Sequence, residues 1–150
     1  MANFCFNQGK QYGLKELYEA AQESPPRLKV LLIQAGSEPS SPDVDTVADI
    51  VGGSPTAEVT ASGYARQALS NVTLNVDDAN DFAYLDADDV LFSGMTTGQD
   101  VGGALLYLEV TNDADSIPIA WYEFSSAIDT GNDISVRWNT PANGGVLKDA

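Results

Sequence analysis

The stretch ALLYLEVTNDADSIPIAWYEF, residues 104–124, decides how this chain is read. It opens with a nearly unbroken apolar run, Ala104 to Val110, about as long as one strand. Asn112 to Ser116 then supplies Asn, Asp and Ser, side chains that bond back to their own backbone and turn a chain. From Ile117 to Phe124 the pattern alternates, with Ile117, Ile119 and Trp121 set against Pro118, Ala120 and Tyr122. A period of two marks a strand with one buried face and one wet face. Pro118 has no N–H to give to a ladder and belongs at an edge or at a strand's beginning. Alternation with a polar face implies antiparallel pairing rather than βαβ units.

The same grammar extends in both directions. Downstream, Gly131-Asn132 leads into a strand at 134–138, with Ile134, Val136 and Trp138 on one face and Ser135 and Arg137 on the other. Residues 140–145 read as a loop, and Val146-Leu147 closes the sheet. Upstream, residues 94–103 read as a glycine-rich loop, 90–92 as a short strand and 64–69 as another. Between these last two, Val72, Leu74 and Val76 form the buried face of a strand. It is joined through a turn at 77–81 to a strand at 82–85 as a hairpin. The first third is different: Leu14, Leu17, Tyr18 and Ala21 recur at helical spacing, which predicts an amphipathic helix over 13–23, stopped by Ser24, Pro25 and Pro26. Residues 28–33 read as a strand buried on both faces, 35–45 as a polar surface loop and 46–51 as one helical turn. These elements predict a mainly β chain. The expected fold is an antiparallel β-sandwich or jelly-roll-like domain of about eight strands with a short N-terminal helix. One domain over 1–150 is expected, with an arm and helix at 1–27 and the sandwich at 28–150.

Composition narrows the function. The chain carries 22 acidic against 7 basic residues, a formal net charge of −15. No Lys or Arg lies between Gln67 and Val136, where thirteen Asp and Glu fall. Such a surface repels nucleic acid and anionic membranes, both of which bind through Lys and Arg. Its plainest role is solubility. Cys5 is the only cysteine, so no disulfide forms within the chain, which fits a reducing compartment or one where thiols are irrelevant. No apolar run approaches a membrane span, and residues 1–10 lack the apolar core of a signal peptide, so synthesis in a cytoplasm is expected.

Catalytic chemistry is thin. There is no histidine to activate a serine or Cys5. The glycines at 94–103 lack the spacing of a phosphate loop. Asp77, Asp78, Asp81, Asp86, Asp88 and Asp89 could converge on calcium, but their spacing fits no calcium-loop template and capped turns are the plainer reading. A sugar hydrolase needs two carboxylates at a set separation, and nothing singles out a pair. The expectation is no enzyme, no cofactor and no metal. Among the aromatics, Tyr107, Trp121, Tyr122, Phe124 and Trp138 could line a carbohydrate groove or an interface. Strand parity sends Trp121 and Trp138 to the core and leaves Tyr122 as the interface candidate.

Taken in order, LKVLLI at 28–33, SGYARQAL at 62–69, DADDVLFSG at 86–94, ALLYLEV at 104–110, IPIAWYEF at 117–124 and ISVRWNTPANGGVLKDA at 134–150 resemble the small capsid decoration, or cement, proteins of tailed bacteriophages. The resemblance spans nearly the whole chain and rests on strand-and-turn patterns rather than on chemistry. It departs at the longer acidic loop, 35–45. It implies a virion protein on the capsid exterior, made in the bacterial cytoplasm. Its implied partners are the major capsid protein and copies of itself, as a homotrimer. The less acidic N-terminal region, through Phe4, Phe6, Lys10 and Lys15, is then the expected shell contact, with Tyr122 a further capsid or subunit contact. Removing residues 1–10 is expected to abolish that contact and spare the fold. The rival expectations are a head-fibre or tail module binding host glycan and a glycan hydrolase using an acidic pair.

Overall fold

The computed structural model describes residues 3–149, among which ten strands form three antiparallel sheets. The largest is built on β7 (Asp100–Leu108) and β8 (Ile117–Asp129), which flank the turn at 112–116. β2 (Leu28–Gln34) pairs with the other side of β7. β1 (Phe4–Cys5) and β3 (Gln67–Ala68) close the edges, giving the order β1-β8-β7-β2-β3. The second sheet takes β4 (Thr73–Asp77), β5 (Phe82–Asp86) and β10 (Leu147–Asp149) in the order β10-β5-β4. The third pairs β6 (Val90–Phe92) with β9 (Ile134–Val136). The mainly β, antiparallel character predicted by the alternation is the character observed, delivered by three sheets. Helix α1 (Leu14–Gln22) forms as the spacing predicts and ends at Glu23, before the proline pair. Helix α2 (Val47–Val51) is held by a capping box: the Asp49 amide donates to the Thr46 hydroxyl oxygen at 3.3 Å, and the Thr46 amide donates to the Asp49 carboxylate at 3.0 Å.

The central sheet is buried on both faces, which is why β2 and β7 read as continuous apolar runs. Leu28, Val30 and Leu32, with Ala104, Leu106 and Leu108, face a core shared with Leu17 and Ala20 of α1 and with Leu85, Phe92 and Val136 of the smaller sheets. Leu31, Ile33, Leu105, Tyr107 and Trp121 face the other way, against Phe6 and against Val47 and Val51 of α2. Along β8 the expected parity fails. Leu106 lies opposite Ala120 while Tyr107 lies opposite Pro118, so Ile119 is the extra residue of a β-bulge. Ile119 therefore joins the first core and Trp121 the second, although the alternation had put them on one face.

Three further expectations are corrected. Only Gln67–Ala68 of the segment 64–69 is strand; its earlier residues are held by side chains instead. β7 begins at Asp100, so Gly102 and Gly103 lie within a strand rather than a loop. Gly103 is there because the Trp121 ring crosses it: a Cβ would lie 2.7 Å from Trp121 Cζ2. Finally, Val72 is buried, but Leu74 is 38% and Val76 70% exposed. They share a face with Leu85 and Ala83, and α1 packs near the Leu85 end while the hairpin tip runs on uncovered.

Candidate functional site

The charged groups sort into those that hold the fold and those that do not. Arg66 belongs to the first kind. Its guanidinium donates to both oxygens of Glu58 at 2.7 and 2.6 Å and to both of Asp113 at 2.6 and 2.9 Å, and lies 5.3 Å from the Tyr107 ring centre. The Tyr64 hydroxyl donates to Glu58 at 2.8 Å and accepts from the Leu32 amide at 3.0 Å. Burial, and then the Glu58 charge, push that hydroxyl's pKa far above the usual phenol range. Gly63, with φ +87°, leaves no room for a Cβ against the Gly94 carbonyl. The run SGYARQAL is thus a pin that fastens the segment 58–66 to the central sheet and to the turn after β7. Sequence patterning could not find it, because Glu58 and Asp113 are 55 residues apart.

The acidic turns are likewise occupied. Asp77 accepts from the amides of Ala79 and Asn80 at 3.1 Å each and from Asn80 Nδ2 at 2.9 Å, and its pKa is lowered chiefly by that Asn80 side chain. Asp86 caps Ala87, Asp88 accepts from Asn71 Nδ2 at 2.6 Å, and Asp89 accepts from the Trp138 amide at 3.2 Å. Trp138 Nε1 donates to the Asp88 carbonyl at 2.9 Å. Among the described residues no three His, Cys, Asp or Glu side chains converge as metal ligands.

What remains lies where the first and last strands adjoin. β1 lies along β8, with Phe4 opposite Trp121 and Cys5 opposite Ala120. The Phe6 amide donates to the Ile119 carbonyl at 3.0 Å, so strand alternation turns the Cys5 amide outward, away from β8. β10 arrives beside it as the last strand of the second sheet. Two adjoining clefts lie between these edges. One is lined by Cys5, Lys10, Tyr12, Ile119, Leu147 and Lys148, the other by Phe4, Cys5, Tyr122, Asn143, Leu147 and Lys148. Two cations and, among the described lining residues, no carboxylate face this seam, on a chain with 22 acidic residues. Lys10 Nζ donates to Asn7 Oδ1 at 3.0 Å, and the Lys148 ammonium lies 5.1 Å from the Phe82 ring centre. Burial raises the Cys5 thiol pKa, with Lys10 opposing, so this sulfur is no activated nucleophile.

The expected contact residues separate accordingly. Phe4 and Lys10 line the seam. Lys15 is exposed on α1, 3.9 Å from Glu19. Tyr122 lines the seam but is tied down: its hydroxyl donates to the Val146 carbonyl, and its ring meets Trp138 edge-on at 5.3 Å. Phe6 is fully buried, 5.1 Å from Phe4 between ring centres, and reaches no surface. Deleting residues 1–10 would therefore remove a core side chain and an edge strand, and cannot leave the fold untouched. Lys148 was not singled out in the sequence; it is one of only two cations after Arg66, and nothing local says that it returns to Lys10. Of the aromatics, Tyr107 and Trp121 are buried, whereas Tyr122, Phe124 and Trp138 line a further groove, adjoining the seam at Tyr122, with Ser125, Ser126 and Arg137. Trp138 is half-buried there rather than enclosed in the core.

No helix among the described residues is long and apolar enough to cross a membrane. No protein-family model matches the chain, and comparison with curated proteins and with solved structures returns no match.

Proposed function

We propose that this chain is a non-catalytic structural protein that works by holding other polypeptides: a capsid decoration protein of a tailed bacteriophage, seated on the outside of the major capsid protein's shell beside copies of itself. The observation that carries this reading is the seam between β1 and β10. Its described lining residues include two lysines and no carboxylate, and two strand edges adjoin there on an acidic β body. Strand edges bind extended polypeptide through the backbone, and the lysines select against basic partners. The rest of the surface keeps its distance from nucleic acid through its charge. The carboxylates described above are engaged in turns and in the Arg66 network, which gives a hydrolase little to work with.

The mechanism in this reading is mass action. A protein that binds only the assembled shell stabilises that state by its binding free energy, and many symmetric copies multiply the effect. The half-buried Phe4 and the exposed Lys10 and Lys15 supply the contacts. The test is cosedimentation with purified shells and the temperature at which those shells rupture. The intact chain should bind and raise that temperature, and Lys10→Glu with Lys15→Glu should bind at least about tenfold more weakly. Shells that neither retain the protein nor gain heat resistance overturn the reading.

A second reading has its own observation. The groove that holds Phe124, Trp138, Ser125, Ser126 and Arg137 combines aromatic rings with hydroxyls and a cation, the mixture that binds saccharide. A glycan adsorption module predicts measurable affinity of the isolated chain for host surface oligosaccharide, lost in Trp138→Ala. The decoration reading predicts none.

A further inference from the structure

The second sheet has two unlike edges. On one side β4 pairs only with β5, and its outer edge is bare. It contains neither lysine nor proline, the residues that normally keep an edge from pairing. Leu74 and Val76 stand exposed on it, and the strand runs straight into the exposed carboxylates of Asp78 and Asp81. On the other side β10 shares the seam with β1, where Lys10 and Lys148 line a cleft with the half-buried Leu14 and Leu147. One chain thus carries, on opposite edges of one sheet, an apolar strand ending in carboxylates and a cleft ending in lysines.

We propose that these are the two halves of one interface: β4 and the turn at 77–81 of one copy seat in the β1–β10 seam of the next, head to tail. The inference rests on reading the seam as a polypeptide contact and names its occupant as a second copy of this chain. Three properties match at once. Leu74 and Val76 meet Leu14 and Leu147, Asp78 and Asp81 meet Lys10 and Lys148, and a bare strand edge meets a bare strand edge. Elsewhere two such acidic bodies repel each other, so charge guides the approach to this one pairing. Because the two patches differ, the contact is heterologous. It closes into a ring when the rotation per copy divides a full turn and otherwise grows as a filament.

The test is light scattering on the full chain after size-exclusion chromatography. The intact protein should form assemblies several times the 15.9 kDa of one chain. A seam variant, Lys10→Glu with Lys148→Glu, and a turn variant, Asp78→Lys with Asp81→Lys, should each associate at least about tenfold more weakly. Mixed together, the two variants should co-assemble in alternation. The intact turn of the first fits the intact seam of the second, and the acid-bearing seam of the first fits the lysine-bearing turn of the second. All four substitutions in one chain should restore assembly. Circular dichroism checks that each variant folds, and Lys10→Glu alone serves if loss of the Lys148–Phe82 contact unfolds the seam variant. A monomeric wild type at the highest soluble concentration overturns the proposal. So does assembly indifferent to the substitutions, or a mixture that fails to pair. Shell cosedimentation separates the two readings: a monomer that still decorates shells overturns only the head-to-tail contact, and an assembling chain that ignores shells overturns only decoration.

Discussion

Replacing Arg66 with alanine is expected to be among the costliest changes that alter no aliphatic core residue. The guanidinium makes four contacts of 2.6 to 2.9 Å with Glu58 and Asp113, and its removal leaves those two carboxylates facing each other. Hydrogen bonds to charged groups contribute about 1.5–3 kcal/mol each, but four such terms do not add, because water replaces part of what is lost. The side chains set the discount: Glu58 is 15% exposed, Arg66 26% and Asp113 36%. That places the network between an exposed pair, about 1 kcal/mol or less, and a buried pair broken on one side, about 3–5 kcal/mol. An estimate of about 3 kcal/mol follows, or a fall in Tm of roughly 6–12 °C for a chain of this length. Urea and thermal unfolding followed by circular dichroism measure it. The triple variant Arg66→Met, Glu58→Gln, Asp113→Asn should recover more than half of the loss, because no charge is then left unpaired. Acid supplies a second reading. The Arg66 hydrogen bonds hold the Asp113 carboxyl below its ordinary pKa, with burial opposing. A depressed carboxylate contributes stability above its unfolded pKa of about 3.9 and loses it as pH falls through the lower folded value. The gap between wild type and Arg66→Ala should therefore narrow below about pH 4. A loss under about 1 kcal/mol, or a gap unchanged in strong acid, would refute the reasoning.

Four other outcomes follow from particular contacts. Phe6→Ala empties a fully buried site against Trp121 and Tyr107 and should cost about 3–5 kcal/mol in urea unfolding, whatever it does to partners. Gly63→Ala places a Cβ on the Gly94 carbonyl at φ +87° and should destabilise by about 2 kcal/mol, whereas Val76→Ser, at a site 70% exposed, should stay within about 0.5 kcal/mol when the chain is dilute enough to be monomeric. Cys5, its thiol pKa raised by burial, should alkylate with iodoacetamide more slowly than a small free thiol at neutral pH and catch up only in denaturant. Millimolar calcium and chelator should leave Tm unmoved, since the Asp77, Asp88 and Asp89 carboxylates already accept hydrogen bonds within their turns; a rise with calcium would reveal ligands that the fold does not bring together.

The strands that pack the centre were legible because their patterns are local. β2 and β7 are apolar at nearly every position, and only a strand covered on both faces tolerates that. Leu14, Leu17, Tyr18 and Ala21 mark α1 through spacing alone, and Thr46 with Asp49 starts α2 within four residues. Reading went wrong where one residue changed the phase or where a neighbour was missing. The bulge at Ile119 sent Trp121 to the opposite core from the one its alternation implied. Leu74 and Val76 carry the pattern of a buried face, but among the described residues nothing covers that face at the end of their hairpin.

Hydrophobic period, turn residues and charge are properties of neighbours in the chain, so the amino-acid order alone determined that this protein is an antiparallel β body, acidic and without histidine. The tertiary structure decided which charges are spent and which are left. Arg66 meets Glu58 and Asp113, and Lys10 and Lys148 come to line one cleft, only because segments distant in sequence lie side by side in the fold. Such pairings are set by long-range packing of both faces of the central sheet, and no window of local sequence contains them.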